Sequence, residues 1–246
     1  MRVLCVIPAR LGSTRLPSKP LRLLAGEPLI SVVARRALGF GLFARVVVAT
    51  DSQEVVAAVA HLPVEAALTA VHQSGTDRVA EVVARRAEAP STCVINVQGD
   101  EPFVRRDVVE GVIGCLRGGA QLATAAVPLA AEDLTARNRV KVVVDGKGNA
   151  LRFARDLPAS AAWSCEVTVL RHLGVYGYTP TALAQWARLP PHPLEIADGL
   201  EQIRPLGHGM TMKVFRSFAT AYHGIDTEND LVEAEAMLSL RERALG

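Results

Sequence analysis

Short apolar runs alternate with stretches of helical spacing along the first half of the chain. The runs cover residues 3–7, 45–50, 64–68 and 92–97, and they predict strands that are mostly buried. Between them, apolar positions recur at helical spacing over residues 28–40 and 53–61, and from the polar loop at residues 72–78 to about Ala89. This alternation of strands and helices predicts a parallel, doubly wound sheet.

The second half of the chain is less regular. Its predicted strands cover residues 122–127, 140–144, 150–155, 170–178 and 212–215, and its predicted helices cover residues 107–116, 180–189, most of 194–206, and 227–240. The turn at residues 145–148 predicts antiparallel pairing of the strands on either side of it. Thr227, with Asp230 three residues later, is typical of a helix start, and residues 155–166 are expected to form a surface loop.

No repeat or low-complexity linker divides the sequence, so one domain over residues 1–246 is expected. The fold class predicted from these patterns is α/β, with a mostly parallel sheet, helices on both faces, and a smaller antiparallel or mixed part. An apolar edge at residues 140–144 of that smaller part predicts a homodimer.

The composition of the chain argues against several classes of protein and of partner. Lys+Arg 27 against Asp+Glu 25 is close to balance, so we expect neither nucleic acid nor an anionic membrane surface as a partner. No run of about 18 apolar residues predicts membrane insertion, and the start of the chain does not read as a signal peptide. The cysteines are scattered without a CxxC pair, which predicts neither a disulfide framework nor a zinc site. The cytoplasm is the expected compartment.

A loop with three cations follows the first strand. Three prolines and one glycine between residues 7 and 20 exclude a regular helix there, so Arg10, Arg15 and Lys19 are displayed at the carboxyl end of the strand. Ligands of open α/β sheets bind at that edge, and backbone amides near Ser13 together with the cations suit a polyphosphate. The spacing matches neither a Walker A loop nor GxGxxG, which disfavours a dehydrogenase. The alternative is a solvated basic loop.

Two aspartates offer ligands for a metal at the same edge. Asp100 follows the apolar strand 92–97, beside Gln98, and its carboxylate suits Mg2+, which favours a few carboxylates together with phosphate oxygens. The alternative role for Asp100 is to cap the next helix. Asp226 has the same two possible roles, and taken alone it is better interpreted as a cap of the last helix.

These motifs together resemble the 3-deoxy-manno-octulosonate (Kdo) cytidylyltransferase family, the CMP-Kdo synthetases. The matching segments stand in the family's order and span nearly the whole chain: PAR at residues 8–10, STRLP at 13–17, KPL at 19–21, ATD at 49–51, HQSGT at 72–76, NVQGDEP at 96–102, RHLGVYGY at 171–178, LEQ at 200–202 and GIDT at 224–227. The resemblance implies a Rossmann-like domain of the nucleotide-diphospho-sugar transferase type that transfers CMP from CTP to Kdo for lipopolysaccharide biosynthesis.

The resemblance also implies roles for individual residues. The residues expected to bind the nucleotide are Ala9, Arg10, Ser13, Arg15, Lys19, Ser74 and Gly75. The residues expected around the sugar are Arg78, Gln98, His172, Tyr176, Glu201 and Gln202. Asp100 and Asp226 are the implied Mg2+ ligands, and the catalytic set is Lys19, Arg10 and Asp100. For His172 we favour a substrate hydrogen bond over a role as base, with a packed neutral core histidine as the alternative.

The sequence departs from the family pattern in several places. Gly12 stands where alanine is frequent, Asp77 replaces a usual glutamate, and the segment at residues 153–158 matches the family loosely. Residues 206–209 also lack an aromatic residue that is often found there. Two other functions remain open at this point: a cytidylyltransferase for 8-amino-Kdo or a sialic acid, and a non-catalytic nucleotide-sugar-binding protein.

Overall fold

A buried central strand, Val3–Ala9 (β1), organises a sheet of nine strands within the described part of the chain. The computed structural model describes residues 1–13, 15–157, 167–218 and 224–245. The further strands are Leu23–Leu24 (β2), Glu27–Pro28 (β3), Arg45–Thr50 (β4), Glu65–Leu68 (β5), Cys93–Val97 (β6), Leu122–Pro128 (β7), Lys141–Val144 (β8), Ala150–Ala154 (β9), Thr168–Tyr178 (β10) and Met212–Arg216 (β11). The helices are Leu29–Gly39 (α1), Gln53–Val59 (α2), Gly75–Arg85 (α3), Arg106–Arg117 (α4), Pro180–Arg188 (α5), Pro193–Asp198 (α6), Ile203–Gly207 (α7) and Glu228–Leu245 (α8).

The strand order is β11-β7-β10-β6-β1-β4-β5, and β2 and β3 form a separate hairpin that the sequence did not predict. The four strands β6, β1, β4 and β5 are parallel, as predicted. Helices lie on both faces: α1, α2, α4 and α8 contribute to one hydrophobic cluster, and α3, α5 and α7 to the other. The α/β fold class with a mixed second part is therefore confirmed. None of the described helices is long and apolar enough to cross a membrane.

Strand β10 creates a fork in the sheet. Its residues Val175 to Tyr178 pair antiparallel with β6, whereas Thr168 to Arg171 pair antiparallel with β8. Strand β7 pairs with the other side of β10 from Leu170 to Tyr178, with an irregularity between Leu173 and Tyr176. The sheet therefore opens beside the carboxyl ends of β1 and β6, where residues 172–174 lie between its two branches.

Two expectations about the second half need correction or refinement, and a third falls partly outside the described residues. The strand at residues 140–144 is not an apolar edge, because β8 lies between β9 and β10 and Val142, Val143 and Val144 are buried. Residues 194–206, predicted to be mostly helical, form parts of two helices, because Gly199 ends α6 in the left-handed conformation (φ 62°). The predicted loop at residues 155–166 lies outside the described residues from 158 onward, as do Thr14 and Cys165.

Candidate active site

Lys19 connects the loop after β1 with both aspartates. Its Nζ lies 2.5 Å from Asp100 Oδ2 and 2.9 Å from Asp226 Oδ1, and Arg15 Nη2 lies 3.0 Å from Asp226 Oδ2. Burial lowers the pKa of Lys19, but the two carboxylates outweigh it and raise the pKa above its usual value. The loop is therefore folded back onto two acids and is not simply a solvated basic segment.

Neither aspartate side chain caps a helix. Helix α4 begins after Arg105, five residues beyond Asp100. Helix α8 is capped by Thr227 Oγ1, which accepts from Asp230 N, while the Asp230 carboxylate accepts from the backbone of Asp226 and Thr227. The interpretation of Asp226 as the cap is thus wrong, whereas the predicted start at Thr227 is confirmed. Both carboxylates are left to face Lys19.

One cavity of about 440 Å3 opens at the fork of the sheet. Every residue assigned a role from the sequence contributes to its wall: Ala9, Arg10, Ser13, Arg15, Lys19, Ser74, Gly75, Arg78, Gln98, Asp100, His172, Tyr176, Glu201, Gln202 and Asp226. The fold thus brings together residues from the β1 loop, the start of α3, the end of β6, the middle of β10, and the segments before α7 and α8. Which of them contact a substrate stays a prediction.

Glu201 secures the start of α3. Its Oε1 accepts from Gly75 N at 3.0 Å, and its Oε2 accepts from Thr76 N at 3.1 Å and from Thr76 Oγ1 at 2.9 Å. Ser74 caps the same helix by accepting from Asp77 N at 3.0 Å. A carboxylate at a helix N-terminus is stabilised by the free N–H groups and the helix dipole. Glu201 therefore ties the segment before α7 to the predicted nucleotide loop.

The neighbouring strand ends are held by two arginines. Arg10 Nη1 donates to Gln73 O at 2.6 Å, which joins the β1 loop to the segment before α3. Arg78 is 1% exposed and lies with Nη1 2.5 Å from Thr69 Oγ1 and Nη2 3.1 Å from Asp51 Oδ2. Arg78 thus contributes to the cavity wall while it pairs with the partly exposed Asp51 at the end of β4.

His172 is neutral and has a defined tautomer. Thr124 Oγ1 donates its proton to Val175 O at 2.8 Å, so it accepts from His172 Nε2 at 2.9 Å, and Nδ1 carries the lone pair. Burial lowers the pKa of the His172 imidazole to about 3. The ring also packs edge-on against Phe153 and lies beside Tyr176. Burial likewise raises the pKa of Tyr176 well above its usual value, so both groups stay uncharged at neutral pH.

A third acid lies beside the aspartate pair. Burial, and then the charge of Asp100, raise the pKa of Glu101 to about 8, while the Gly174 N–H that donates to its carboxyl acts the other way. Gly174 has no room for a side chain, because a Cβ there would lie 2.7 Å from Glu101 Oε1. Glu101 is therefore mostly protonated at neutral pH and packs against the fork.

Comparison with known proteins decides the family. The family model described as cytidylyltransferase matches residues 4–213. A 3-deoxy-manno-octulosonate cytidylyltransferase of Gemmatimonas aurantiaca is 48% identical over 241 residues, which cover 95% of this chain and 93% of that protein. The enzyme of the same name from Yersinia enterocolitica is 40% identical over 251 residues, which cover 97% and 99%. The chain belongs to the 3-deoxy-manno-octulosonate cytidylyltransferase family.

A solved structure agrees with this family. A CMP:2-keto-3-deoxy-manno-octonic acid synthetase, complexed with CTP, superposes with a TM-score of 0.87 at 36% identity and covers 98% of this chain and 100% of its own. At this level of similarity, the two proteins share the same fold over nearly the whole chain.

Three arginines of this family member line the cavity without having been assigned a role from the sequence: Arg139, Arg155 and Arg171. Arg155 donates to backbone carbonyls, with Nε 2.7 Å from Asp198 O and Nη2 3.4 Å from Gly199 O. Arg139 and Arg171 both approach Asp133. No spacing rule connects these residues, since they lie on a loop, after β9 and within β10. The only signal in the sequence was the basic character of Arg139, just before β8, and of Arg171, within β10.

Proposed function

We propose that this protein transfers CMP from CTP to the anomeric hydroxyl of Kdo and releases pyrophosphate. The observation that supports this most directly is the convergence of Lys19, Asp100 and Asp226 at the carboxyl edge of the sheet, in a chain whose residues 4–213 match the cytidylyltransferase model. The relatives carry this activity in their names, and the solved relative was complexed with CTP.

The residues of the β1 loop suit the triphosphate. The Lys19 ammonium has three donors, and two point to carboxylates, so one is left for a phosphate oxygen. Arg10 uses Nη1 for Gln73 O and keeps its other donors, while the Arg15 side chain is half exposed. These cations stabilise the charge that grows on pyrophosphate as it leaves. Positioning and charge stabilisation of this kind carry most of the rate in phosphoryl-type transfers.

Asp100 and Asp226 suit Mg2+ as ligands. Their oxygens meet at one ammonium group, so the fold already holds both carboxylates around a common cation. No group of three or more His, Cys, Asp or Glu suited to a metal occurs in the described residues. Two carboxylates, completed by substrate phosphate oxygens and water, are the donor set that Mg2+ commonly takes. When bound, the ion would neutralise phosphate charge and lower the barrier to attack by the sugar hydroxyl.

The sugar is expected to enter the fork, beside His172 and Tyr176. Because Nε2 of His172 donates to Thr124, its Nδ1 can accept a hydrogen bond from a sugar hydroxyl. With a pKa of about 3, His172 is a weak base at neutral pH, which favours this binding role over proton abstraction. Glu201, in contrast, already accepts three hydrogen bonds from α3, so its remaining capacity toward a sugar is small.

Pyrophosphate release tests the proposal. ATP, GTP, UTP and CTP are compared, each with and without Kdo and with Mg2+ added or chelated. We expect release only when CTP, Kdo and Mg2+ are present together. Equal rates with ATP or GTP would contradict a pyrimidine pocket around Ser74, and release without Kdo would contradict transfer to the sugar.

A panel of acid sugars separates the nearest alternatives. Kdo, 8-amino-Kdo and a sialic acid are offered at equal concentration with CTP. Faster turnover of 8-amino-Kdo or sialic acid would reassign the substrate without changing the reaction. Binding of CTP without turnover of any sugar would instead favour the non-catalytic role.

A homodimer is also part of the proposal. Strand β9 pairs with β8 alone among the described strands, and Leu151 on it is 53% exposed. An edge strand with an exposed apolar side chain is a common site of association. Light scattering should give a mass of twice that of one chain. In the Leu151→Lys variant, the measured mass should fall toward that of a single chain. The cytoplasmic location and the role in lipopolysaccharide biosynthesis stay predictions.

A further inference from the structure

Two guanidinium groups converge on one carboxylate at the wall of the cavity. Arg139 Nε lies 3.9 Å from Asp133 Oδ1, and Arg171 Nε lies 3.5 Å from Asp133 Oδ2. Arg139 belongs to the loop before β8, Arg171 to β10, and both side chains line the cavity. The wall that the two arginines form adjoins His172, whose backbone N–H donates to Val140 O at 2.9 Å. This cationic pair therefore lies next to a residue expected to contact the sugar.

Asp133 does not satisfy the charge of Arg139 fully. Both distances are longer than a good N–H···O hydrogen bond, and Asp133 Oδ2 also accepts from Ala130 N at 3.1 Å. The Arg139 side chain is 18% exposed and that of Asp133 8%, so water screens the group only in part. Burial, and then the like charge of Arg171, lower the pKa of Arg139, while Asp230, Asp133 and Glu233 act the other way.

The other cations of the cavity are engaged differently. Lys19 and Arg15 face the aspartates, and Arg78 pairs with Asp51. Arg10 donates to Gln73 O in the predicted nucleotide loop, and Arg155 donates to carbonyls at the end of α6. Arg139 is thus a cation with a long, partial ion pair, a like-charged neighbour, and access to the cavity. An anion placed against it would relieve the repulsion by Arg171 and accept from the guanidinium fork, which matches the geometry of a carboxylate.

We propose that Arg139 binds the carboxylate of the acid sugar and so selects acid sugars over neutral ones. This inference rests on the proposed function, because it takes an acid sugar as the acceptor. Arg139 contacts the substrate in this role but takes no part in bond making, so its loss should act on sugar binding much more than on the chemical step.

The experiment compares Kdo with its C1 carboxamide, which keeps the shape and removes the charge. Arg139→Gln, Arg139→Lys and the parent protein are assayed for KM and kcat with both sugars. Arg137→Gln is the matched control, since Arg137 lies on the same loop, pairs with Asp156, is 72% exposed and does not line the cavity. A hydrogen bond to a charged group typically accounts for about 10- to 100-fold in binding.

We expect Arg139→Gln to raise KM for Kdo by about 10- to 100-fold, with unchanged KM for CTP and unchanged KM for the carboxamide. Arg139→Lys should recover part of the loss, and Arg137→Gln should behave like the parent. An unchanged KM for Kdo would overturn the proposal, as would an equal rise with Kdo and with the carboxamide. A rise in KM for CTP together with a lower melting temperature would also overturn it, since it would mark a structural role.

Calorimetric titration of Kdo into the parent and into Arg139→Gln separates this inference from the proposed function. A parent protein that binds Kdo but forms no CMP-sugar contradicts the proposed function alone. Equal Kdo affinity of the two proteins contradicts the role of Arg139, whatever the turnover.

Discussion

The ammonium of Lys19 lies 2.5 Å from a carboxylate oxygen of Asp100, although 81 residues separate the two in the chain. The contact joins the loop after β1 to the end of β6, two strands that are neighbours in the sheet. Since the carboxyl ends of neighbouring parallel strands meet at one edge, the pair is a direct product of the sheet order. It places the predicted phosphate-binding cation against the predicted metal ligand.

Asp100→Asn should nearly abolish turnover without unfolding the protein. The change keeps the shape but removes one negative charge from the cluster, and loss of one charge-stabilising contact at a reacting centre costs on the order of 3 kcal/mol, or about a hundredfold in rate. Lys19 keeps Asp226 as its partner, so stability should change by about 1 kcal/mol or less. Turnover across a Mg2+ titration is measured beside a thermal melt.

The matched control for this change is Asp107→Asn. Asp107 lies in the first turn of α4, pairs with Arg105 and does not line the cavity, so turnover should stay close to that of the parent. Near-normal turnover of Asp100→Asn at low Mg2+ would remove Asp100 from the reaction.

His172→Gln should make the protein less sensitive to acid. The folded-state pKa of about 3 lies below the ordinary 6.5, so between these values the unfolded chain binds a proton that the folded chain does not. The stability that neutral His172 contributes is complete above about pH 6.5 and is lost progressively as the pH falls toward 3. At pH 5 the loss in the free energy of unfolding is about 2 kcal/mol.

Urea unfolding of the parent and of His172→Gln at pH 7.5 and pH 5 checks this prediction. The free energy of unfolding should fall less on acidification in the variant. The exposed residue His61 serves as the control, and His61→Gln should track the parent. An identical acid loss in the parent and in His172→Gln would show that another group carries the effect.

Glu201→Gln distinguishes anchoring of α3 from direct sugar binding. The carboxylate accepts from two backbone amides and one hydroxyl of α3, and charge-assisted hydrogen bonds of this kind contribute about 1–3 kcal/mol in total. We expect a lower free energy of unfolding and a higher KM for CTP, because Ser74 and Gly75 lose their support.

The control for that variant is Glu54→Gln, in the first turn of α2, where Ser52 supplies the cap and Glu54 is exposed. Its stability should change by less than about 0.5 kcal/mol. If Glu201→Gln raised KM for the sugar and left stability unchanged, its main contact would be with the sugar.

Gly99→Ala should destabilise the protein, whereas Gly12→Ala should not. A Cβ at Gly99 would lie 2.8 Å from Pro8 O, a backbone atom of the adjacent strand end that cannot move aside. The clash should cost about 1–3 kcal/mol and displace Asp100 next to it. No atom of the described residues lies within 4 Å of a Cβ at Gly12, so stability there should stay within about 0.5 kcal/mol. Thermal melts of both variants check this prediction. Equal melting temperatures of the two variants would contradict the close approach of Gly99 to Pro8 O.

Local pattern alone predicted most elements of this fold, except the short hairpin of β2 and β3. The strand Arg45–Thr50 and the helix Leu29–Gly39 lie where apolar spacing predicted them, because periodicity records which face of each element is buried. The antiparallel hairpin of β8 and β9 followed from the turn between them. The edge where the cations and Asp100 meet followed from the general position of ligands in parallel sheets.

The tertiary structure decided which side chains face one another. Strand β10 pairs with β6 over one half and β8 over the other, and no local pattern states that a strand changes partner. The same holds for Glu201 at the start of α3 and for Asp133 between Arg139 and Arg171. Such contacts form because a partly buried charge needs a partner and takes the one that packing brings near. The residues involved lie far apart in the chain, so only the folded arrangement could reveal the cationic wall beside His172.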